Sequence, residues 1–284
     1  MRALVLGATG MLGHVVAQRL AERFDLHVGV RDQDRARRLG IAGEPHVIDA
    51  LAPETLETLI DALRPDVVVN AIGLVKQLDV ANEPIPAITI NALLPHRLAA
   101  ACAASGGRLL QVSTDCVFSG ALPAPAAYRE QDPPDATDLY GRSKLLGETT
   151  TPPALTLRTS IIGHELERAS GLMDWFVSQD GGTVQGFANA IFSGVTTKAL
   201  ARVLEQIALE HQDLSGMYHV SAAPISKLEL LERLRDVLGL HCEIRAIDEP
   251  SINRALDSTR FQDATGITPP SWDEMLEEYR EGMQ

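Results

Sequence analysis

Residues 2–13 read RALVLGATGMLG: a short apolar run, RALVL, and then glycines at 7, 10 and 13. The run has the composition of a buried strand. From residue 12 to residue 23, apolar and polar residues mix as they do along an amphipathic helix. Strand, glycine-rich turn and helix form the context in which a dinucleotide fingerprint operates. Glycines let the backbone approach a pyrophosphate, and the helix N-terminus offers free N–H groups and the positive end of its dipole. The contacts expected there are Gly7, Thr9, Gly10, Met11 and Leu12. A plain glycine turn would also explain the spacing; its position at the start of the chain favours the cofactor.

Working outward, a second strand at residues 26–30 ends in Arg31 and Asp32. An acidic residue at this point favours the free 2′-hydroxyl of NAD, and an arginine favours the 2′-phosphate of NADP. Arg31 comes first, with Arg35 one turn later, so NADPH is the expected cofactor and NADH the alternative. The competing reading is a pair of solvated loop charges. A third strand at residues 46–48 ends at Asp49, placed to accept from an adenine amino group. A helix at residues 53–63 opens with proline in its first turn. The strand at residues 66–70 runs into Ala71, Ile72 and Gly73, which leave room for the middle of the cofactor. A helix at residues 87–104 follows, with Pro95 as a kink candidate. Asn91 within it is expected to brace a neighbouring backbone carbonyl.

The strand at residues 108–112 delivers Ser113 and Thr114 to the carboxyl edge of the sheet, where open α/β sheets bind ligands. Residues 119–139 hold Pro123, Pro125, Pro133 and Pro134, and so long a connection reads as a functional loop or lid. A helix at residues 140–149 carries Tyr140 and Lys144, whose i,i+4 spacing stacks them on one face. A phenol beside an ammonium is a proton donor with a depressed pKa. A strand at residues 154–158 closes the alternating series. Alternation of this kind predicts an α/β protein with a doubly wound parallel sheet.

Beyond Ser160 the pattern changes. Helices are expected at residues 171–179, 197–210, 227–238 and 271–282, and short strands at 182–186, 217–220 and 243–247. This predicts a cofactor domain over residues 1–162 and a smaller substrate-binding subdomain over 163–284. Some of the segments in 187–222 are expected to return to the first sheet.

The 284 residues are 45% apolar and 22% charged, ordinary for a globular protein. A net charge of −13 argues against nucleic acid as a partner. Cys102, Cys116 and Cys242 have no paired spacing and fit reduced thiols in a cytoplasm. Met1 leads at once into a strand, leaving no room for a signal peptide, and no apolar run reads as long enough to span a bilayer. The eight histidines show no metal-ligand spacing, which predicts no catalytic metal.

Five motifs then occur in a telling order: GATGMLG from Gly7, STDCVFSG from Ser113, YREQDPP from Tyr128, YGRSK from Tyr140 and LRTSIIG from Leu157. The set resembles the extended short-chain dehydrogenases/reductases that act on nucleotide-activated sugars, and within them the dTDP-4-dehydrorhamnose reductase family. The GxxGxxG spacing is the form associated with that group, and NRALDSTRF from Asn253 is similar to its C-terminal signature. The likeness spans nearly the whole chain. It implies a Rossmann-type fold, a catalytic trio of Thr114, Tyr140 and Lys144, and NAD(P)H as reductant. It also implies a 4-keto-6-deoxy nucleotide sugar as substrate. Cofactor contacts implied or read are Gly7, Thr9, Gly10, Met11, Leu12, Arg31, Asp49, Ala71, Ile72, Gly73, Ser113, Tyr140 and Lys144. Substrate contacts are Thr114, Cys116, Ser160 and Arg254, with Lys198 and Arg168 as rivals of Arg254 for a diphosphate. Trp175 and Trp272 read as core, with a base-stacking face as the alternative. The chain departs from the family at Cys116, where an aromatic residue is common, and at Ile161, where a Trp is common. The absence of glutamate after Asp115 separates it from the sugar 4,6-dehydratases. The alternatives are a non-catalytic regulator of the same fold and an epimerase with tightly held NAD. The expected setting is cytoplasmic, without a membrane, and a homodimer is a candidate assembly.

Overall fold

The computed structural model describes residues 1–75, 82–167 and 171–282. In its first half, strands and helices alternate: β1 (Arg2–Leu6), α1 (Gly13–Leu20), β2 (Asp25–Val30), α2 (Gln33–Arg38), β3 (Glu44–Val47), α3 (Pro53–Leu63), β4 (Val67–Asn70), α4 (Pro84–Ala87), α5 (Leu94–Ser105), β5 (Arg108–Thr114), α6 (Leu139–Leu146) and β6 (Leu155–Thr159). The second half contains β7 (Ile161–Ile162), α7 (Leu172–Val177), β8 (Thr183–Phe187), β9 (Ala190–Phe192), β10 (Val195–Thr196), α8 (Thr197–Glu210), β11 (Gly216–His219), β12 (Ile225–Ser226), α9 (Lys227–Leu238), β13 (Glu243–Ile247), β14 (Ile252–Asn253), α10 (Thr259–Thr265) and α11 (Trp272–Glu281).

Seven strands form one parallel sheet in the order β11-β6-β5-β4-β1-β2-β3. The fold is the doubly wound, Rossmann-type α/β architecture, and its two cores follow from strand alternation. On β1, Ala3 and Val5 face a core with Val16 and Leu20 of α1 and Leu200, Leu204 and Ile207 of α8. Leu4 and Leu6 point the other way, onto Leu56 and Ile60 of α3 and Leu94 and Leu98 of α5. Beyond β6 the chain returns to the sheet once, as β11. The rest builds small sheets, β10-β7, β12-β9-β14 and β13-β8.

Two expectations about the helix before β5 need correction. It begins at Pro84, and a π-helical stretch, Ile88–Leu93, joins α4 to α5. Leu94 N–H reaches back to the Thr89 carbonyl, and Pro95 has no N–H to continue an ordinary ladder, so the register widens just ahead of it. The combined helix Pro84–Ser105, 22 residues with a mean hydropathy of 1.2 in its most apolar window, does reach membrane-spanning length and apolarity. Its Leu94, Leu98 and Cys102 nevertheless pack into the core against the sheet.

Candidate active site

The site begins where β5 stops. Thr114 closes the strand and caps a 3₁₀ turn, Asp115–Val117, accepting from Cys116 N–H at 3.1 Å. The start of α6 is fixed by Asp138, whose carboxylate accepts from Gly141 N–H at 2.8 Å. A Cβ on Gly141 would overlap the Cys116 carbonyl oxygen, so only glycine lets α6 lie this close to the 3₁₀ turn. These two local devices bring Thr114 and Tyr140 together, and the threonine hydroxyl shares a hydrogen bond with the phenol.

Lys144, one turn along, is 6% exposed. Its ammonium donates to the Val112 carbonyl at 2.8 Å and points toward Gly73, lying 3.9 Å from where a Cβ there would sit. Burial pulls its pKa down to about 8, opposed by Glu148. The expected depression of the phenol pKa is overturned in the protein alone. Burial pushes Tyr140 up, Cys116, Asp115 and Asp138 add to that, and the Thr114 hydrogen bond opposes it. The cause is physical: a phenolate in a closed, carboxylate-lined site loses more to desolvation than it gains nearby.

On the cofactor side, Gly7 adopts φ +80° and packs on the backbone of Ala71 and Ile72. A Cβ on Gly13 would overlap the Gly7 carbonyl, so the first turn of α1 is pressed against the loop it follows. Gly10 is exposed and Thr9 and Met11 are half-buried, but the Leu12 side chain belongs to the core, leaving only its backbone for a ligand. The residues present fit a dinucleotide: bare backbone lines the approach from Gly7 to the sheet edge at Ala71, Ile72 and Gly73. Arg31 is exposed beyond β2. Arg35 is taken by an ion pair with Glu167, and Asp32 caps α2 by accepting from Arg35 N–H at 2.9 Å. Asp49 is exposed at the end of β3, and its carboxylate accepts from Leu51 N–H at 2.9 Å. Ser113 is placed differently from its neighbour, because alternate residues on a strand face opposite sides. Its hydroxyl is given to Glu148 at 2.7 Å, beside the buried Arg158–Glu148 pair. The hydroxyl of Ser113 is thus engaged within the protein, and its backbone is what stands at the strand end beside Thr114.

Of the substrate residues, Cys116 is half-buried against Tyr140, and Ser160 uses its carbonyl to accept from Val195 N–H at 2.9 Å. Arg254 straps the loop, donating to the Phe118 and Ser119 carbonyls at 2.9 and 3.1 Å. Lys198 donates to the Glu278 carbonyl at 3.1 Å and lines a separate cleft of about 980 Å³ between α1, α8 and α11 that contains none of the trio. Arg168 lies outside the described residues. Trp272 is core, donating to the Ala223 carbonyl at 2.8 Å, whereas Trp175 is 37% exposed. Asn91 braces the strand end after β4, exchanging hydrogen bonds with Leu74 N–H and carbonyl at 2.9 and 3.1 Å.

The sequence reading missed two groups. Asp115 is buried, and burial raises its pKa against the pull of Arg254 and Lys227. Lys227 lies 3.8 Å over the Phe192 ring, its pKa lowered by burial and raised by Asp115 and Cys116. The pairing of β12 and β14 with β9 brings Lys227 and Arg254 to one place, and two-residue strands leave no periodic signal.

The model of the RmlD substrate binding domain matches residues 1–284. A dTDP-4-dehydrorhamnose reductase of Mycolicibacterium smegmatis is 30% identical over 306 aligned residues, covering 100% of this chain and 84% of that one. A methionine adenosyltransferase 2 subunit beta of Danio rerio is also 30% identical, over 84% of this chain and 74% of its own. Among solved structures, a dTDP-4-dehydrorhamnose reductase from Bacillus anthracis in complex with NADP is 20% identical with a TM-score of 0.82, covering 99% of both chains, and is similar in fold. A match along its whole length places this chain in the RmlD substrate binding domain family.

Proposed function

We propose that this chain is an NAD(P)H-dependent reductase of the 4-keto group of a nucleotide-activated 6-deoxy sugar, of the dTDP-4-dehydrorhamnose reductase type. The observation that carries the reading is the hydrogen-bonded pair of Thr114 and Tyr140 with buried Lys144 one turn away, at the carboxyl edge of the sheet. Residues 1–162, with β11, hold the cofactor, and residues 163–284 close over the substrate. NADPH is the favoured cofactor because Arg31 is exposed just beyond the end of β2 and holds no ion pair among the described residues.

When bound, the dihydronicotinamide supplies hydride to the carbonyl carbon. The chain supplies everything that the oxygen requires. Thr114 donates to that oxygen and fixes its direction as negative charge develops. Tyr140 delivers the proton as general acid. Its raised pKa keeps it protonated and ready, and the Lys144 ammonium stabilises the phenolate left behind. Lys144 also has the reach to hold ribose hydroxyls, since it points at Gly73 in the cofactor cleft. Arg254 and Lys227, whose charges both act on Asp115 beside Thr114, are the candidate positive groups for a diphosphate.

A relative 30% identical to this chain is named as a methionine adenosyltransferase 2 subunit beta, so similarity alone does not decide between a reductase and a non-catalytic subunit. The retained trio favours the catalyst. Mixing the chain with NADPH and a dTDP-4-keto-6-deoxy sugar is the test: steady loss of reduced cofactor is expected. Binding without oxidation would reject the reductase in favour of a regulator. Repeating the assay with UDP- and GDP-linked sugars identifies the nucleotide.

A further inference from the structure

Two histidines and a glutamate converge on the outer edge of the sheet, away from the reductive site. In the β2–β3 pairing, His27 stands opposite Glu44, and Gly29 opposite His46. Residues two apart on a strand share a face, so all three side chains project to one side. His27 Nδ1 lies 2.9 Å from His46 Nε2 and 3.5 Å from Glu44 Oε2. One ligand atom from each residue falls within 4.8 Å of the others. His27 is 6% exposed, and its Nε2 is buried with no hydrogen-bond partner among the described residues. The nearest carboxylate oxygen to that nitrogen is Asp25 Oδ1, at 3.7 Å.

We propose that His27, His46 and Glu44 form a binding site for a divalent transition-metal ion of the zinc class, with Asp25 as the carboxylate behind His27. Zinc–nitrogen bonds of about 2.0–2.1 Å in a tetrahedron place ligand nitrogens roughly 3.3 Å apart. The two imidazole nitrogens therefore need to separate by only a few tenths of an ångström to admit the ion between them. Ligation through Nδ1 fixes the proton of His27 on Nε2, aimed at Asp25. Closing the 3.7 Å gap to Asp25, whose other oxygen accepts from Arg2 at 2.9 Å, would complete the carboxylate–histidine–metal arrangement that orients such ligands. Two imidazoles and one carboxylate suit Zn²⁺, Ni²⁺ or Cu²⁺ rather than Mg²⁺ or Ca²⁺. Glu44 and the outer side of His46 open to solvent, so water completes the shell.

The ion would pin the edge strand β3 to β2, the two strands that end in Asp49 and Arg31. The site lies on β2 and β3, three and four strand positions from β5, roughly 14–19 Å at ordinary inter-strand spacing, and takes no part in hydride transfer. Its test is consequently independent of the reductase reading.

The experiment is calorimetric titration of the tag-free full chain with ZnCl₂ and separately with MgCl₂, paired with thermal unfolding. One Zn²⁺ per chain and a raised Tm are expected, with no binding of Mg²⁺. His46→Ala and Glu44→Gln lie at the open side of the site and leave the buried His27 in place. His46→Ala should weaken Zn²⁺ binding tenfold or more and remove the Tm rise, and Asp25→Asn should weaken it about tenfold through His27. His241→Ala, at a residue 88% exposed on its side chain, should change nothing. Failure of the wild-type chain to bind Zn²⁺, undiminished binding by His46→Ala, or equal binding of Mg²⁺ would each overturn the proposal.

Discussion

At the scale of single residues, burial decides how the trio behaves. Lys144 has a pKa lowered to about 8, and Tyr140 one raised well above the ordinary phenol value. Both must be protonated for the forward reduction. The limiting loss is therefore that of the Lys144 proton, and kcat/KM should stay level below pH 8 and fall above it. A profile that rises through pH 8 would contradict these assignments. On the proposed reading Arg31 sets the cofactor preference: Arg31→Ala should raise KM for NADPH about tenfold or more, with little change for NADH. Steady-state kinetics with both cofactors would check it. The placement of Tyr140, Lys144 and Thr114 was legible because it depends on i,i+4 spacing and on the end of a strand. The direction of the phenol pKa was not legible, since it is set by burial and, secondarily, by the charges of Cys116, Asp115 and Asp138 that folding brings beside it.

Elements that announce themselves by capping and amphipathy were read well. Helices α3, α8 and α9 run over Pro53–Leu63, Thr197–Glu210 and Lys227–Leu238, as their sequences suggest, the latter two capped by Thr196 and Ser226. Elements set by contact with something distant were not. The helix carrying Tyr140 and Lys144 stops at Leu146, where Gly147 packs directly on the Asn91 carbonyl. The two-residue strands β12 and β14 both pair with β9, a partner distant in sequence. The turn between β1 and α1 gives the element-scale prediction. A methyl group at Gly13 must push α1 off the Gly7 carbonyl, a strain of about 1–3 kcal/mol. Gly13→Ala should lower Tm and weaken NADPH binding, measured by fluorescence titration, by tenfold or more. Unchanged affinity would mean that this turn does not cradle the cofactor.

At the scale of the whole molecule, the two halves share one core. Val16 and Leu20 of α1 lie in the same cluster as Leu200, Leu204 and Ile207 of α8 and Trp272 of α11, and Arg19 pairs with the nearly buried Glu205 at 2.6 Å. The seventh strand of the sheet comes from the second half. A fragment of residues 1–162 leaves the α1 face of its sheet uncovered, and it should show no cooperative thermal transition where the full chain shows one. An independently folded fragment would refute this dependence. Alternation in the first half made the sheet legible from sequence, but the return of β11 follows a long helix and irregular strands, so only its neighbourhood could be anticipated.

The central claim is that Tyr140 gives its proton to a sugar carbonyl held by Thr114. Its most direct measurement is NADPH oxidation with a dTDP-4-keto-6-deoxy sugar by wild-type chain and by Tyr140→Phe, alongside the NADPH affinity of each. The account predicts turnover by the wild type, a loss of about 10²–10⁴-fold in kcat for the variant, and nearly equal affinities. Equal turnover by the two proteins, or none by the wild type, would contradict it.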